Sequence, residues 1–219
     1  VLHEPLAKAL KRSDGAEAGC RLQPGDRQLR FDADAEKLLI SRSRRRQVIP
    51  IENLDEDAFA PYGRVLGLAR ESGDAGTFLS PASDFWHEHM IDAQDGEREV
   101  LWVEYRSGEP FVSRLETHLR TEQAVIPLTG PIIQIVATSD ENGVHQPASV
   151  RAFLVPQGLG ICMYPGCWHA TRIVAASVTC LMLTRRSTTL DLAAHLNHGT
   201  ELFESRLVDV ALHLDKQIV

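Results

Sequence analysis

The sequence predicts a mainly β domain, a sandwich or a barrel, and three observations predict it. Between Glu99 and Thr184 the chain divides into eight short segments rich in β-branched and other apolar residues, at nearly regular spacing. Turn-forming groups separate them: Ser-Gly-Glu-Pro at 107–110, Thr129-Gly130-Pro131, Asp140-Glu-Asn-Gly143, Pro156-Gln-Gly158 and Pro165-Gly166. After Ser187 the apolar spacing lengthens to a helical period, so the β region has a defined end.

Residues 1–46 are rich in charge, carry Gly15, Gly19, Pro24 and Gly25, and have only short apolar runs. They read as a partly irregular extension with a hairpin across Arg21 to Ile40. The β-barrel domain is expected over 47–186, opening at Val48-Ile49-Pro50. Asn53 followed three residues later by Glu56 has the pattern of an N-cap with an acid, which predicts a short helix from Leu54 toward Ala60. Pro61 and Gly63 end it, and Gly67 to Ser83 reads as loop. Strands are expected near Val100–Tyr105, Val112–Leu119, Gln123–Leu128, Ile132–Ala137, Val150–Val155, Gly160–Met163, His169–Val174 and Val178–Thr184. Leu190, Leu192, Ala193 and Leu196, then Leu202, Phe203, Leu207, Val210 and Leu214, fit two C-terminal helices over 187–219 that pack on the barrel.

With 219 residues the chain is long enough to bury a full single core. A formal charge of −7 argues against general nucleic-acid binding. The basic cluster Arg42, Arg44, Arg45 and Arg46 reads as a solvated segment rather than a phosphate site, because the other cations do not gather near it. No apolar run is long enough to span a bilayer, so no membrane partner is expected. The four cysteines, Cys20, Cys162, Cys167 and Cys180, form no C-x-x-C pair, and Cys162 and Cys180 sit in apolar runs. A thiol-reduced, cytoplasmic protein is the expectation.

The polar residues that stand out lie on two elements. In a strand side chains alternate faces, so Arg114, Glu116 and His118 share one face and Leu115, Thr117 and Leu119 the other. About forty residues on, Tyr164-Pro165-Gly166-Cys167-Trp168-His169 turns into a strand that opens with a second histidine. Phe59-Ala60-Pro61-Tyr62-Gly63, Arg106, Leu115-Glu116-Thr117-His118 with Gln123-Ala124 and Ile126-Pro127, and Trp168-His169 together resemble the ureidoglycolate lyases, also called ureidoglycolate hydrolases, of the cupin superfamily. The likeness runs over roughly Val48 to Thr184. It implies a cupin-type double-stranded β-helix, a jelly-roll barrel with short flanking helices, and a homodimer. Glu116 and His118 stand where the first cupin motif has its His-x-His, Gln123 where that motif places a carboxylate, and Pro165-Gly166-x-x-His169 is similar to the second motif. The chain departs from the family in carrying Ala170 after Trp168-His169, and Trp86-His87-Glu88-His89 matches the family's aromatic-histidine element only loosely.

The activity so implied is a carbon–nitrogen lyase that splits ureidoglycolate, or a closely related small α-hydroxy carboxylate, into glyoxylate and urea. That reaction needs a base for the carbinol hydroxyl, an acid for the departing ureido nitrogen and a holder for the carboxylate. His118 and His169 suit proton transfer, with Glu116 orienting His118 or acting as base. Arg106 suits the carboxylate, Gln123 the ureido end, and His87 the pocket wall. No organic cofactor is implied. A divalent metal is an open alternative, with His118, His169, Glu116 and Gln123 as its ligands. Two other readings stand beside the lyase: a metal-dependent cupin oxygenase or isomerase, and a non-catalytic cupin that binds a small carboxylate. Blander readings attach to the remaining groups. His195 and His198 lie three apart on a helix face in solvent, Trp168 and Cys167 pack, and His145 sits in a polar loop without a role.

Overall fold

In the computed structural model of the protein, residues 47–68 and 76–215 are described. The expected extension over 1–46, its hairpin and the basic cluster lie outside the described residues. The chain forms β1 (Gln47–Asn53), α1 (Glu56–Phe59), β2 (Gly63–Leu66), β3 (Arg98–Tyr105), β4 (Phe111–His118), β5 (Gln123–Pro127), β6 (Ile132–Ala137) and β7 (Arg151–Val155). It continues through β8 (Gly160–Met163), β9 (Trp168–Ile173), β10 (Val178–Arg185), α2 (Arg186–His198) and β11 (Ser205–Asp215). The fold is mainly β, as expected: a closed barrel in the order β1-β11-β4-β9-β6-β7, with a second, five-stranded sheet in the order β2-β8-β5-β10-β3.

Strand β6 shows why the two sheets belong together. All six of its residues are buried, which a strand reaches only when both of its faces are covered. Ile132 and Val136 face the second sheet and join Val125, Ile161, Met163 and Met182 in the core between the sheets. Ile133, Ile135 and Ala137 point into the closed barrel, with Leu115, Trp168, Leu212 and Leu214. The five-residue opening Phe59–Gly63 anchors one end of the first core. Phe59 meets Phe153 edge-on at 5.4 Å, and the Tyr62 hydroxyl donates to the Ser149 carbonyl at 2.5 Å.

Two expectations are corrected. The cap of α1 is Asp55, whose side chain accepts from the Ala58 N–H at 2.9 Å. Asn53 is committed to β1, where it pairs with Leu154. The second C-terminal helix is instead strand β11, so the barrel does not end at 186. Leu207, Val210 and Leu214 are helically spaced, but Val208, Val210, Leu212 and Leu214 also alternate. The slot between β1 and β4 selects the alternating set, parallel to β1 and antiparallel to β4. The first helix stands as expected, and Gly199 ends it in the left-handed region at φ 68°, its N–H on the His195 carbonyl. No helix among the described residues is long and apolar enough to cross a membrane.

Candidate active site

Strand β4 of the barrel, β3, β5 and β10 of the second sheet, and helix α2 line a cavity of about 280 Å³. Its apolar wall is Leu101, Val103, Met182, Leu192 and Leu196. The polar wall carries Tyr105, Glu116, His118, Gln123 and Thr184. Helix α2 sits over this space because Arg185 and Glu204 fix its first turn. Arg185 donates to the Ala93 carbonyl at 2.7 Å and pairs with Glu204 at 3.3 Å. Glu204 in turn accepts from Thr188 at 2.6 Å.

Alternation along β4 puts Glu116 and His118 on the cavity side while Leu115 enters the barrel core. Pairing of β4 with β9 then sets His169 directly opposite Glu116. Two histidines and a carboxylate therefore meet, their ligand atoms all within 4.8 Å of one another. The imidazole rings of His118 and His169 are 5.2 Å apart, edge to face. His169 donates from Nδ1 to the Cys167 carbonyl at 3.0 Å, since a carbonyl only accepts. Its Nε2, 3.5 Å from Glu116, is buried without a proper hydrogen bond. On the far side His118 Nδ1 lies 2.9 Å from the Ser205 hydroxyl of β11.

Burial pushes His118 down to about 4, helped by the neighbouring charge of His169. Burial alone would raise the Glu116 carboxyl, but the facing His169 and His118 hold it below the usual carboxylate value. Near neutral pH the site thus offers an ionised carboxylate beside a neutral imidazole. Burial likewise raises Tyr105 to about 12, so its phenol stays a proton donor. Acid stability follows from His118. As pH falls from 6.5 toward about 4, the unfolded chain takes up a proton that the folded chain refuses. In chelator-treated protein this group's contribution is intact above pH 6.5 and falls by on the order of 3 kcal/mol by pH 4. Urea midpoints of the protein and of His118→Gln, compared across that window, should show a shallower pH slope in the variant.

The structure brings Glu116, His118, His169 and Gln123 together and leaves two expected residues outside. Arg106 lies past the end of β3, its side chain 68% exposed and ion-paired to Glu104. His87 is exposed and does not line the cavity. Among the described residues lining the cavity there is neither lysine nor arginine. Cys167 is buried in the inter-sheet core with its thiol raised to about 12, a packing residue as expected. Sequence reasoning missed Tyr105, Thr184 and Thr188. The first two are the inward positions of β3 and β10, visible only once those strands pair, Val103 with Cys180 and Glu99 with Thr184.

Glu116, His118 and His169 also fit a divalent ion: one carboxylate and two imidazoles, with Nε2 of His169 lacking a partner.

The family model described as Ureidoglycolate lyase matches residues 46–200. Ureidoglycolate lyase 2 of Rhizobium meliloti (strain 1021) is 31% identical over 55% of this chain and 75% of its own length. The ureidoglycolate lyase of Chelativorans sp. (strain BNC1) is 28% identical over 54% of this chain and 72% of its own. Among solved structures, the sugar 3,4-ketoisomerase QdtA from Thermoanaerobacterium thermosaccharolyticum aligns at 10% identity and a TM-score of 0.36, covering 56% of this chain and 79% of that one. RmlC from Streptococcus suis aligns at 9% identity and a TM-score of 0.34, covering 41% of this chain and 44% of that one. With the family model spanning most of the chain, this protein belongs to the ureidoglycolate lyase family.

Proposed function

We propose that this protein cleaves ureidoglycolate to glyoxylate and urea in the cavity between its two sheets. The observation that carries the reading is the meeting of Glu116 and His118, which line a mostly apolar pocket, with His169 beside them. Cleavage breaks the bond between the carbinol carbon and the ureido nitrogen. The hydroxyl oxygen loses its proton and becomes the aldehyde oxygen, and the nitrogen gains a proton and leaves as urea. One proton is taken and one returned, a balance that the Glu116–His169 pair suits. Glu116 receives the hydroxyl proton, and the pair delivers a proton to the nitrogen from the Nε2 side of His169. His118, steadied by Ser205, and Gln123 orient the substrate.

The substrate's carboxylate needs a positive partner, and the described lining supplies no arginine or lysine. In an alternative arrangement, a divalent ion held by Glu116, His118 and His169 would supply that charge and polarise the carboxylate and hydroxyl oxygens, and those three side chains would then hold the ion in place of exchanging protons. Arg106→Ala is therefore expected to leave KM and kcat within about twofold, the range of an exposed ion pair. A KM raised tenfold or more would restore Arg106 as the carboxylate holder. The defining test is release of urea and glyoxylate from racemic ureidoglycolate, with and without chelator. Equimolar release supports the reading, loss on chelation assigns the metal a part, and no release under either condition overturns it.

We also propose a cytoplasmic homodimer. The family likeness supports the dimer, as does the outer edge strand β3, where Val100 and Trp102 are 59% and 70% exposed.

A further inference from the structure

A second cluster of potential ligands lies on the opposite face of the five-stranded sheet. Along β8, Ile161 and Met163 enter the core between the sheets, so Cys162 points outward. Along β5, Gln123 and Val125 face inward and Ala124, paired with Cys162, faces outward. The residue before β5 is Glu122. It is held by a backbone exchange with Asp92, whose N–H donates to Glu122 Oε2 at 2.8 Å and whose carbonyl accepts from the Glu122 N–H at 2.8 Å. His89, from the connection leading to β3, places Nε2 2.7 Å from the same carboxylate oxygen.

We propose that His89, Glu122 and Cys162 form a zinc-class metal site, separate from the active-site cluster, that pins the connection before β3 to the outer face of the second sheet. Three ligand atoms of three kinds, imidazole nitrogen, carboxylate oxygen and thiol sulfur, lie within 4.8 Å of one another. In a tetrahedral zinc site neighbouring ligand atoms sit roughly 3.3–3.8 Å apart, given metal–ligand bonds of about 2.0–2.3 Å. Contraction of about 1 Å closes the set, and His89 lies on a connection rather than a strand. Cys162 is fully buried and in no disulfide, and the Glu122 side chain is 7% exposed. Ile91, Leu66, Ile126 and Leu183 surround them with apolar contacts.

A hydrogen-bonded His–Glu pair alone accounts for His89 and Glu122, but not for a sulfur set beside a buried carboxylate. A thiol gains nothing from that neighbour, and both burial and the Glu122 charge keep its proton on, up to about 12. A divalent cation reverses that relation, since it binds the thiolate and neutralises the carboxylate together. Sulfur among the ligands selects zinc-class ions over magnesium or calcium. Three protein ligands leave a fourth position on the side where His89 is 20% exposed. Loading expels the thiol proton to solvent, with no redox change. Arg64, paired with Cys162 on β2, is the nearby cation that any bound ion must tolerate; its guanidinium is drawn over Tyr164.

The test uses the full chain, stripped with chelator and titrated with Co2+. The expected result is a saturable near-ultraviolet thiolate-to-cobalt charge-transfer band. It should persist in the His118→Ala/His169→Ala double variant, because the active-site cluster contains no sulfur. It should vanish in Cys162→Ser and in His89→Asn, the latter altering a partly exposed residue on a connection. Zn2+ should raise the melting temperature of the double variant, but not of the triple variant in which His89→Asn is added to it. Absence of the band at saturating Co2+, or a band unchanged in Cys162→Ser or His89→Asn, overturns the proposal. The proposal does not depend on lyase activity and survives failure of that reading.

Discussion

His169→Ala is expected to lower kcat/KM for ureidoglycolate cleavage by roughly 10²–10⁴-fold, the range for removing a positioned acid–base group, while the chain stays folded. The size follows from what the imidazole does in place. It stands opposite Glu116 in the strand register, takes its tautomer from the Cys167 carbonyl and leaves Nε2 for the reacting proton. Its loss also removes the partner that offsets burial at Glu116. The carboxyl should then titrate at higher pH, and residual activity should show its acid limb moved upward. A structural role alone would lower activity without moving that limb. Measured pH profiles of kcat/KM for both proteins distinguish the two, and full activity in the variant would remove His169 from the mechanism.

Gly63→Ala is expected to be the most damaging single methyl addition in the described chain. A Cβ at this position would lie 2.1 Å from the Cys162 carbonyl oxygen and 2.8 Å from its carbon. The clash is with backbone, and that backbone is the β2–β8 ladder in which Gly63 pairs with Met163. No side chain can rotate away. Overpacking of a core costs about 1–3 kcal/mol, and this site belongs at or above the upper end because two strands must part. Urea denaturation of the two proteins at matched pH reads the difference. A midpoint unchanged from the parent would mean that β2 shifts freely on β8.

Much of the fold was legible because local pattern and tertiary context agreed. The eight central strands lie between turns whose Gly and Pro residues permit little else, and α2 carries its period and its terminal Gly199 openly. Where the context chose between two patterns, the sequence was ambiguous. Residues 205–215 satisfy a helical and an alternating spacing together, and only the open position between β1 and β4 decides. At the site, the Glu116-x-His118 alternation and the Trp168-His169 opening pointed to side chains that the fold brings together, because face is a property of one strand. Arg106 was misplaced for the converse reason. Whether a residue just beyond a strand turns inward depends on the neighbouring loop, and here Glu104 holds it at the surface. Tyr105 and Thr184 became visible only through strand pairing, which no single segment encodes.

Strand β11 carries a consequence for how the molecule is made. It pairs with β1, at the other end of the described chain, and with β4, which bears Glu116 and His118. Contacts between segments so far apart in sequence are the slow ones in folding, because a long loop must close before they form. During synthesis β1 through β10 leave the ribosome while the barrel seam still gapes, and Ser205 reaches His118 only after the last strand arrives. The wall of the candidate site is thus completed only by the last strand of the described chain, and a nascent protein carries no finished wall until that seam is sealed.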